Sequence, residues 1–470
     1  MQPGAGAWRA VRREAKSEIV TVFASGRGAN APTSQFRLQD ASPIEVATLN
    51  LTPGYCSCGA THCSWRQVLR STFMIDPEMS PEITIISLCH VWGGTACHTV
   101  ALANHLAERA HVRIVHIGGS DLLEKSPFLR RLDCRVQVIP ITLHGHNSSL
   151  SAMIRVLARY VTRTCIVQKG AFGAGSTSLL IALRLLVRKL IVIVHSAFVD
   201  PLPPKTSRRY LWGTVAGPGM WWHRRRLREF WLPACLPSVT VCVSNAVKSA
   251  IEHAGKICLP RCQIVHNGVD PGRFQFSPAN RDAVRDAWGF DDSMFVFGYV
   301  GRLGAEKGCS RLLGGFAQYV MGTGDRLARL VFVGDGPEMK AITLATAGYG
   351  LEGVVRMIGA VDDVAAIYSA LDCFVLVSDV EGLPLSLLEA MAAGCLCVAR
   401  DVGGVTEALT DREGIIVPRE GETEMVAAAL RQARMLGHEQ RTVLQRNCRE
   451  KVEARFNIFQ QMEQLARIVL

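Results

Sequence analysis

No stretch of this chain could cross a bilayer without burying charge. The longest apolar run, STSLLIALRLLVRKLIVIVHSAF at 176–198, is broken by Arg184, Arg188 and Lys189, and a span tolerates charge poorly at its centre. A helix leading into a buried strand explains it better. The amino terminus, MQPGAGAWRAVRREAKSEIV, lacks a continuous apolar core, so no secretory signal is expected. Glu14 and Glu18 argue against an organelle transit peptide. None of the 16 cysteines forms a C-x-x-C knuckle. Cys89, Cys165, Cys242, Cys373 and Cys397 lie in apolar runs, where cysteine acts as a small buried hydrophobe, and this points to a reducing, cytosolic setting. Cys56, Cys58, His62 and Cys63 cluster without a familiar zinc spacing; the expectation is loop cysteines in an extension, with zinc the alternative. The net charge of +11 is not gathered into a tail, which leaves a local basic patch to be found.

What is present fits a large globular chain. Its 470 residues are too many for one ordinary core, and 49% hydrophobic with 20% charged is a normal balance. Residues 1–80 show little periodicity and read as a poorly ordered extension. From residue 83 short apolar runs alternate with helical stretches: ITIISL, RIVHIG, VQVIP, CIVQ, LIVIVH and VTVCVS, then FVFGYVG, RLVFVGDGP, VVRMIG, CFVLVS, LCVAR and GIIVP. That alternation predicts parallel sheets covered by helices on both faces. The fold expected is α/β: two facing, doubly wound, Rossmann-like domains with ligands in the cleft between them. The boundaries are 81–270 for the first domain, 271–292 for a linker and plausible hinge, 293–445 for the second domain, and 446–470 for a carboxyl-terminal helix returning toward the first.

Four motifs of the second half stand at strand ends. GRLGAEKG (301–308) offers Arg302 as a planar fork and Lys307 as a point charge, which together suit a diphosphate; a solvated loop is the alternative. VGDGPE (333–338) opens a helix on a glycine turn. EGLPLSLLEAMAAG places Glu381 just before a helix that begins near Pro384 and runs to about Ala393, with Glu389 inside it. A helix start is an anion seat. At about 1.5 Å per residue the two carboxylates stand about 12 Å apart if both are helical, too far to share a proton and suited to two ends of one elongated ligand. VGGVTEAL is the fourth.

In this order the four motifs closely resemble the retaining, nucleotide-sugar-dependent glycosyltransferases of family 4, the glycosyl transferases group 1, with the GT-B fold. The first half agrees, with Gly93–Gly94 after its first strand, VHSAF, VSNAVKSAI and HNGVDPGRF. The resemblance covers about residues 82–470 and implies roles at matching positions. Arg302 and Lys307 would hold the donor diphosphate on the Gly301 turn, and Gly334 and Gly336 would form the neighbouring turn. Glu381 would sit near the transferred sugar, ringed by backbone N–H groups of Gly382, Leu383 and Leu385. Glu389 would accept from ribose hydroxyls. Gly94 would admit the phosphate from the opposite domain, and the loop around Arg356–Gly359 would line the base. His195 would lie near the sugar; a hydrogen-bonded strand-end histidine is its other reading. Protein cations and a helix end would stabilise the leaving group. The chain has no Asp-x-Asp, so neither metal nor other cofactor is expected. VHSAF lacks an Asp after its His, which leaves sugar and acceptor open.

The segment 205–231 carries seven Lys/Arg against one Glu and four of the eight Trp: Trp212, Trp221, Trp222 and Trp231. Arg with Trp suits an anionic membrane surface; a helix packed on its own domain is the alternative. No nucleic-acid recognition module is present. The function expected is sugar transfer from a UDP- or GDP-sugar to a glycan or lipid-linked acceptor, in the cytoplasm or at the inner face of a membrane. The rivals are another GT-B chemistry, such as nucleotide-sugar hydrolysis or epimerisation, and a non-catalytic sugar-nucleotide-binding scaffold.

Overall fold

Runs rich in β-branched and aromatic residues such as Lys189–Ser196 (KLIVIVHS) and Phe295–Val300 (FVFGYV) are buried along almost their whole length, as strands covered on both faces must be. The computed structural model describes residues 82–89, 93–118, 123, 127–141, 150–171, 177–196 and 227–470, with two short strands at 19–21 and 35–37. Those two pair antiparallel within a separate unit, residues 1–47. The rest of the 1–80 extension, the Cys56–Cys63 cluster and most of the Trp- and Arg-rich segment lie outside the described residues.

The first sheet contains β1 (Glu82–Ser87), β2 (His111–Ile117), β3 (Gln137–Ile141), β4 (Thr164–Ala171), β5 (Lys189–Ser196), β6 (Val239–Cys242) and β7 (Cys262–Ile264), in the order β3-β2-β1-β4-β5-β6-β7 and parallel throughout. The second contains β8 (Phe295–Val300), β9 (Ala328–Val333), β10 (Val355–Gly359), β11 (Cys373–Leu376), β12 (Leu396–Arg400) and β13 (Gly414–Val417), in the order β10-β9-β8-β11-β12-β13, also parallel. Each order reverses once, next to β1 and next to β8. A reversal opens a crevice at the carboxyl ends of the strands, where ligands bind in such sheets.

Six helices position the site and join the domains: α1 (Gly94–Leu106), α2 (Asn245–Gly255), α3 (Pro278–Trp288), α4 (Leu385–Ala392), α5 (His438–Arg455) and α6 (Ile458–Val469). Half of the linker expected at 271–292 is α3. Ser277 caps it by accepting from Asn280 N, and buried Arg285 pairs with Asp372 at 2.5 Å. That ion pair fastens α3 to the second domain, so the chain crosses between domains before it. α5 stays on the second domain, where Lys451 pairs with Glu413 at 3.1 Å. The crossing is a short backbone bridge, Val269 N to Phe456 O and Ile458 N to Val269 O, both 2.9 Å. Only α6 then lies on the first domain, with Glu463 on Arg109 at 2.8 Å and Lys189 Nζ donating to Val469 O at 3.0 Å. Among the described residues no helix is long and apolar enough to cross a membrane.

Candidate active site

The turn 378–384, between β11 and α4, is the centre of the candidate site. Pro384, expected in the first turn of α4, instead caps it in an extended conformation (φ −71, ψ 121), and the helix begins at Leu385. Glu381 is buried, 7% exposed, and its Oε1 accepts from Lys307 Nζ at 2.8 Å and from Ser378 Oγ at 2.7 Å. Lys307 ends a short 3-10 turn after β8. The sequence thus brings Lys307, Glu381 and the amino end of α4 to one place. Leu383 N, Leu385 N and Ser386 N donate to no other group of the described residues, so a cation and a set of free N–H groups are available to an anion.

The neighbouring turns stand at the carboxyl ends of β8, β9 and β10. Gly301 N donates to Val333 O at 2.9 Å and Gly334 N to Gly359 O at 2.7 Å. A side chain at Gly334 would meet Gly301 O at 1.9 Å, so glycine there lets two turns touch. Gly336 N donates to Asp335 Oδ1 at 2.6 Å. Arg302 lies beside this group, half-exposed and paired with Glu306 rather than with the buried Glu381. Arg356 stands apart. It belongs to β10 and not to a loop, and its guanidinium lies over the Phe290 ring at 5.2 Å. Of the expected base-lining pair, only Gly359 reaches the strand end.

Glu389, partly buried in α4, accepts from Tyr368 OH at 2.7 Å. Burial raises its pKa, and the Tyr368 bond with Arg273 and Arg131 nearby offsets this only in part. From the first domain, a Cβ on Gly94 at the start of α1 would lie 3.6 Å from Leu385 Cδ1. The amino ends of α1 and α4 therefore approach each other across the cleft. His195 ends β5. Its Nε2 lies 2.6 Å from Gln168 Oε1, an acceptor, so that nitrogen carries the proton. Its ring meets His98 edge-on at 4.7 Å. Burial, and then His98, hold His195 well below its ordinary 6.5, and burial lowers His98 to about 4. Both rings are neutral at physiological pH. The two readings of His195 are compatible, since a hydrogen-bonded strand-end histidine here also borders the cleft.

Residue by residue, the sequence missed the groups that join the domains. Ser244 Oγ donates to Gly382 O at 2.9 Å, and Asn267 Nδ2 to Leu383 O at 2.7 Å. Glu407 reaches across to α2, accepting from Asn245 N (3.1 Å), Ala246 N (2.8 Å), Asn245 Nδ2 (3.0 Å) and His266 Nε2 (3.1 Å). A serine just before a helical run is a cap signal. The three residues lie in the motifs VSNAVKSAI, HNGVDPGRF and VGGVTEAL, but nothing local says that their partners are in the other domain.

Burial by itself would raise the Glu407 pKa; the bonds from His266, Ala246 and Asn245 outweigh it and hold the carboxyl at about 2, against an ordinary 4.5. The folded value is the lower one, so the contribution is complete above about pH 4.5 and is lost as pH falls toward 2. A difference of this size corresponds to at most about 3 kcal/mol. Glu407→Gln is expected to lower stability at pH 7 by up to that amount. It should also flatten the acid limb of a urea-unfolding series taken from pH 5 to pH 2.5. An unchanged acid limb would show that the contact contributes nothing.

Two family descriptions match the two domains: Glycosyltransferase Family 4 over residues 92–273 and Glycosyl transferases group 1 over 280–451. Among similar proteins are N-acetyl-alpha-D-glucosaminyl L-malate synthase of Bacillus anthracis (29% identical over 35% of this chain and 42% of that one) and the UDP-Gal:alpha-D-GlcNAc-diphosphoundecaprenol alpha-1,3-galactosyltransferase of Escherichia coli (26%, over 48% and 58%). A third is a GDP-mannose-dependent alpha-mannosyltransferase of Mycobacterium tuberculosis (32%, over 38% and 43%). The matches thus span about half the length of these relatives. Anabaena HepE, solved with UDP and glucose, shares the fold with a TM-score of 0.66 at 17% identity, over 82% of this chain and 98% of that one. WaaG, a glycosyltransferase involved in lipopolysaccharide biosynthesis, does so with 0.60 at 15%, over 83% and 99%. With both family matches, one over each domain, and with both sheets shared with solved glycosyltransferases, the chain belongs to the family 4 glycosyltransferases and has the GT-B fold.

Proposed function

We propose that this protein moves a sugar from a nucleotide-sugar donor to a glycan or lipid-linked acceptor with retention of configuration. The observation that carries the reading is the convergence of Lys307, buried Glu381 and the free N–H groups opening α4 on one turn of the cleft. Cleaving a sugar–phosphate bond leaves negative charge on the diphosphate, and fixed donors aimed at that charge stabilise the transition state. Lys307 and α4 supply them from the second domain, and α1 adds its amino end from the first. Arg302 turns from Glu306 to the diphosphate. Glu389 takes the ribose hydroxyls, and His195, kept neutral, faces the sugar. The chain's own cations serve the leaving group, and the reaction needs no metal.

The galactosyltransferase relative, named for a UDP donor and a diphosphoundecaprenol-linked acceptor, and the GDP-mannose-dependent relative support a UDP- or GDP-sugar donor. The first also supports a lipid-linked acceptor. An acceptor of that kind fits peripheral association with an anionic membrane through 205–231, of which Trp231 is half-exposed. A ligand that binds only the folded protein raises its melting temperature. In a thermal-shift screen of UDP-, GDP- and ADP-sugars, one base is expected to raise Tm by several degrees. No shift with any of them would overturn the donor assignment, and release of free sugar with no transfer to any acceptor would favour hydrolysis.

A further inference from the structure

We propose that Ser244 and Asn267 are positioning residues that aim the donor-binding turn from the opposite domain, so that the diphosphate seat is complete only when the domains are together. This rests on the reading of the turn at Gly382–Leu385 as that seat. Both residues are buried, Ser244 fully and Asn267 to 5% exposure, and each donates across the cleft to a carbonyl of the turn, Gly382 O and Leu383 O. Gly404 N donates to Gly382 O as well, at 2.9 Å.

A carbonyl and the N–H of the next residue point opposite ways in one rigid plane. Holding Gly382 O toward Ser244 therefore turns Leu383 N–H away from the first domain's serine. Holding Leu383 O fixes the next plane, which leads through Pro384 into the free N–H groups of Leu385 and Ser386. The serine proton has one destination. Ser244 Oγ already accepts from Val247 N at 3.1 Å as the cap of α2, so its single proton goes to Gly382 O.

Opening the cleft strips both carbonyls of their first-domain donors: Gly382 O keeps only Gly404 N, and Leu383 O is left to water, so neither plane is held as it is in the closed form. The seat and the closed arrangement thus favour each other, and by linkage a bound diphosphate favours closure as much as closure favours the diphosphate. Neither residue touches the donor; each acts through the turn.

The test uses the full chain with Asn267→Ala and Ser244→Ala, each checked by thermal unfolding, and with Lys307→Ala as the reference. Binding of UDP and GDP is compared with that of uridine and guanosine by calorimetry or competition. For the base that the wild type binds, both clamp variants are expected to weaken the diphosphate about tenfold or more and the nucleoside less than twofold. A structural role alone would weaken the two ligands equally, and that result overturns the proposal. So does unchanged diphosphate binding in folded variants. If Lys307→Ala loses the diphosphate while both clamp variants keep it, only the clamp falls. If Lys307→Ala binds it as the wild type does, the diphosphate sits elsewhere and the proposal falls with the reading beneath it.

Discussion

Lys307→Ala is expected to lower kcat/KM for sugar transfer by about 10²–10³, the range seen when one preorganised donor is removed from a developing anion. Two effects add. The diphosphate loses the cation at its seat, and the buried Glu381 loses its partner, keeping only Ser378 of the two donors on Oε1. Truncating one member of a buried pair leaves an uncompensated charge and costs about 3–5 kcal/mol at worst; Lys307 is partly exposed, so the stability loss should be smaller. Steady-state kinetics alongside urea unfolding separates the two. A folded variant that keeps more than about a third of wild-type kcat/KM would remove Lys307 from the site.

Gly382→Ala should be as damaging, for a steric reason. A Cβ on Gly382 would lie 1.8 Å from His195 O, and carbon does not come within about 3 Å of an oxygen it is not bonded to. Relief demands a shift of roughly 1 Å, either of the turn or of one domain against the other, and misplacement on that scale can cost about 10²-fold in rate. The turn cannot yield alone, because Ser244, Asn267 and Gly404 hold the same stretch. Activity should fall at least about 10²-fold, with the melting temperature reduced and the scattering profile moved toward a more open molecule. Gly94→Ala is the control: among the described residues its Cβ would meet only Leu385 Cδ1, at an ordinary 3.6 Å, so it should fold normally. Wild-type activity and shape in Gly382→Ala would mean that this close approach does not form in solution.

The two sheets were legible because strands buried on both faces read as apolar runs, and their alternation with helices allowed little but parallel doubly wound domains. That Lys307 and Glu381 stand at neighbouring strand ends was legible because they sit within short motifs whose backbone setting travels with them. The helix inside the expected linker at 271–292 was not legible, for a physical reason. α3 is polar along most of its length, and what anchors it is a buried arginine paired with Asp372, a contact that no apolar periodicity announces. The packing of Arg356 was not legible because its stacking on Phe290 depends on a neighbour 66 positions away. Ser244, Asn267 and Glu407 fell into the same gap. Each partner lies more than a hundred residues distant, in the other domain.

The central claim is that a nucleotide diphosphate occupies the turn between β11 and α4, and a structure of the protein with UDP or GDP tests it most directly. Lys307 Nζ and Leu385 N should both lie within about 3 Å of phosphate oxygens, with Arg302 turned away from Glu306. A diphosphate bound elsewhere, with Lys307 still on Glu381 and Arg302 still on Glu306, would contradict it.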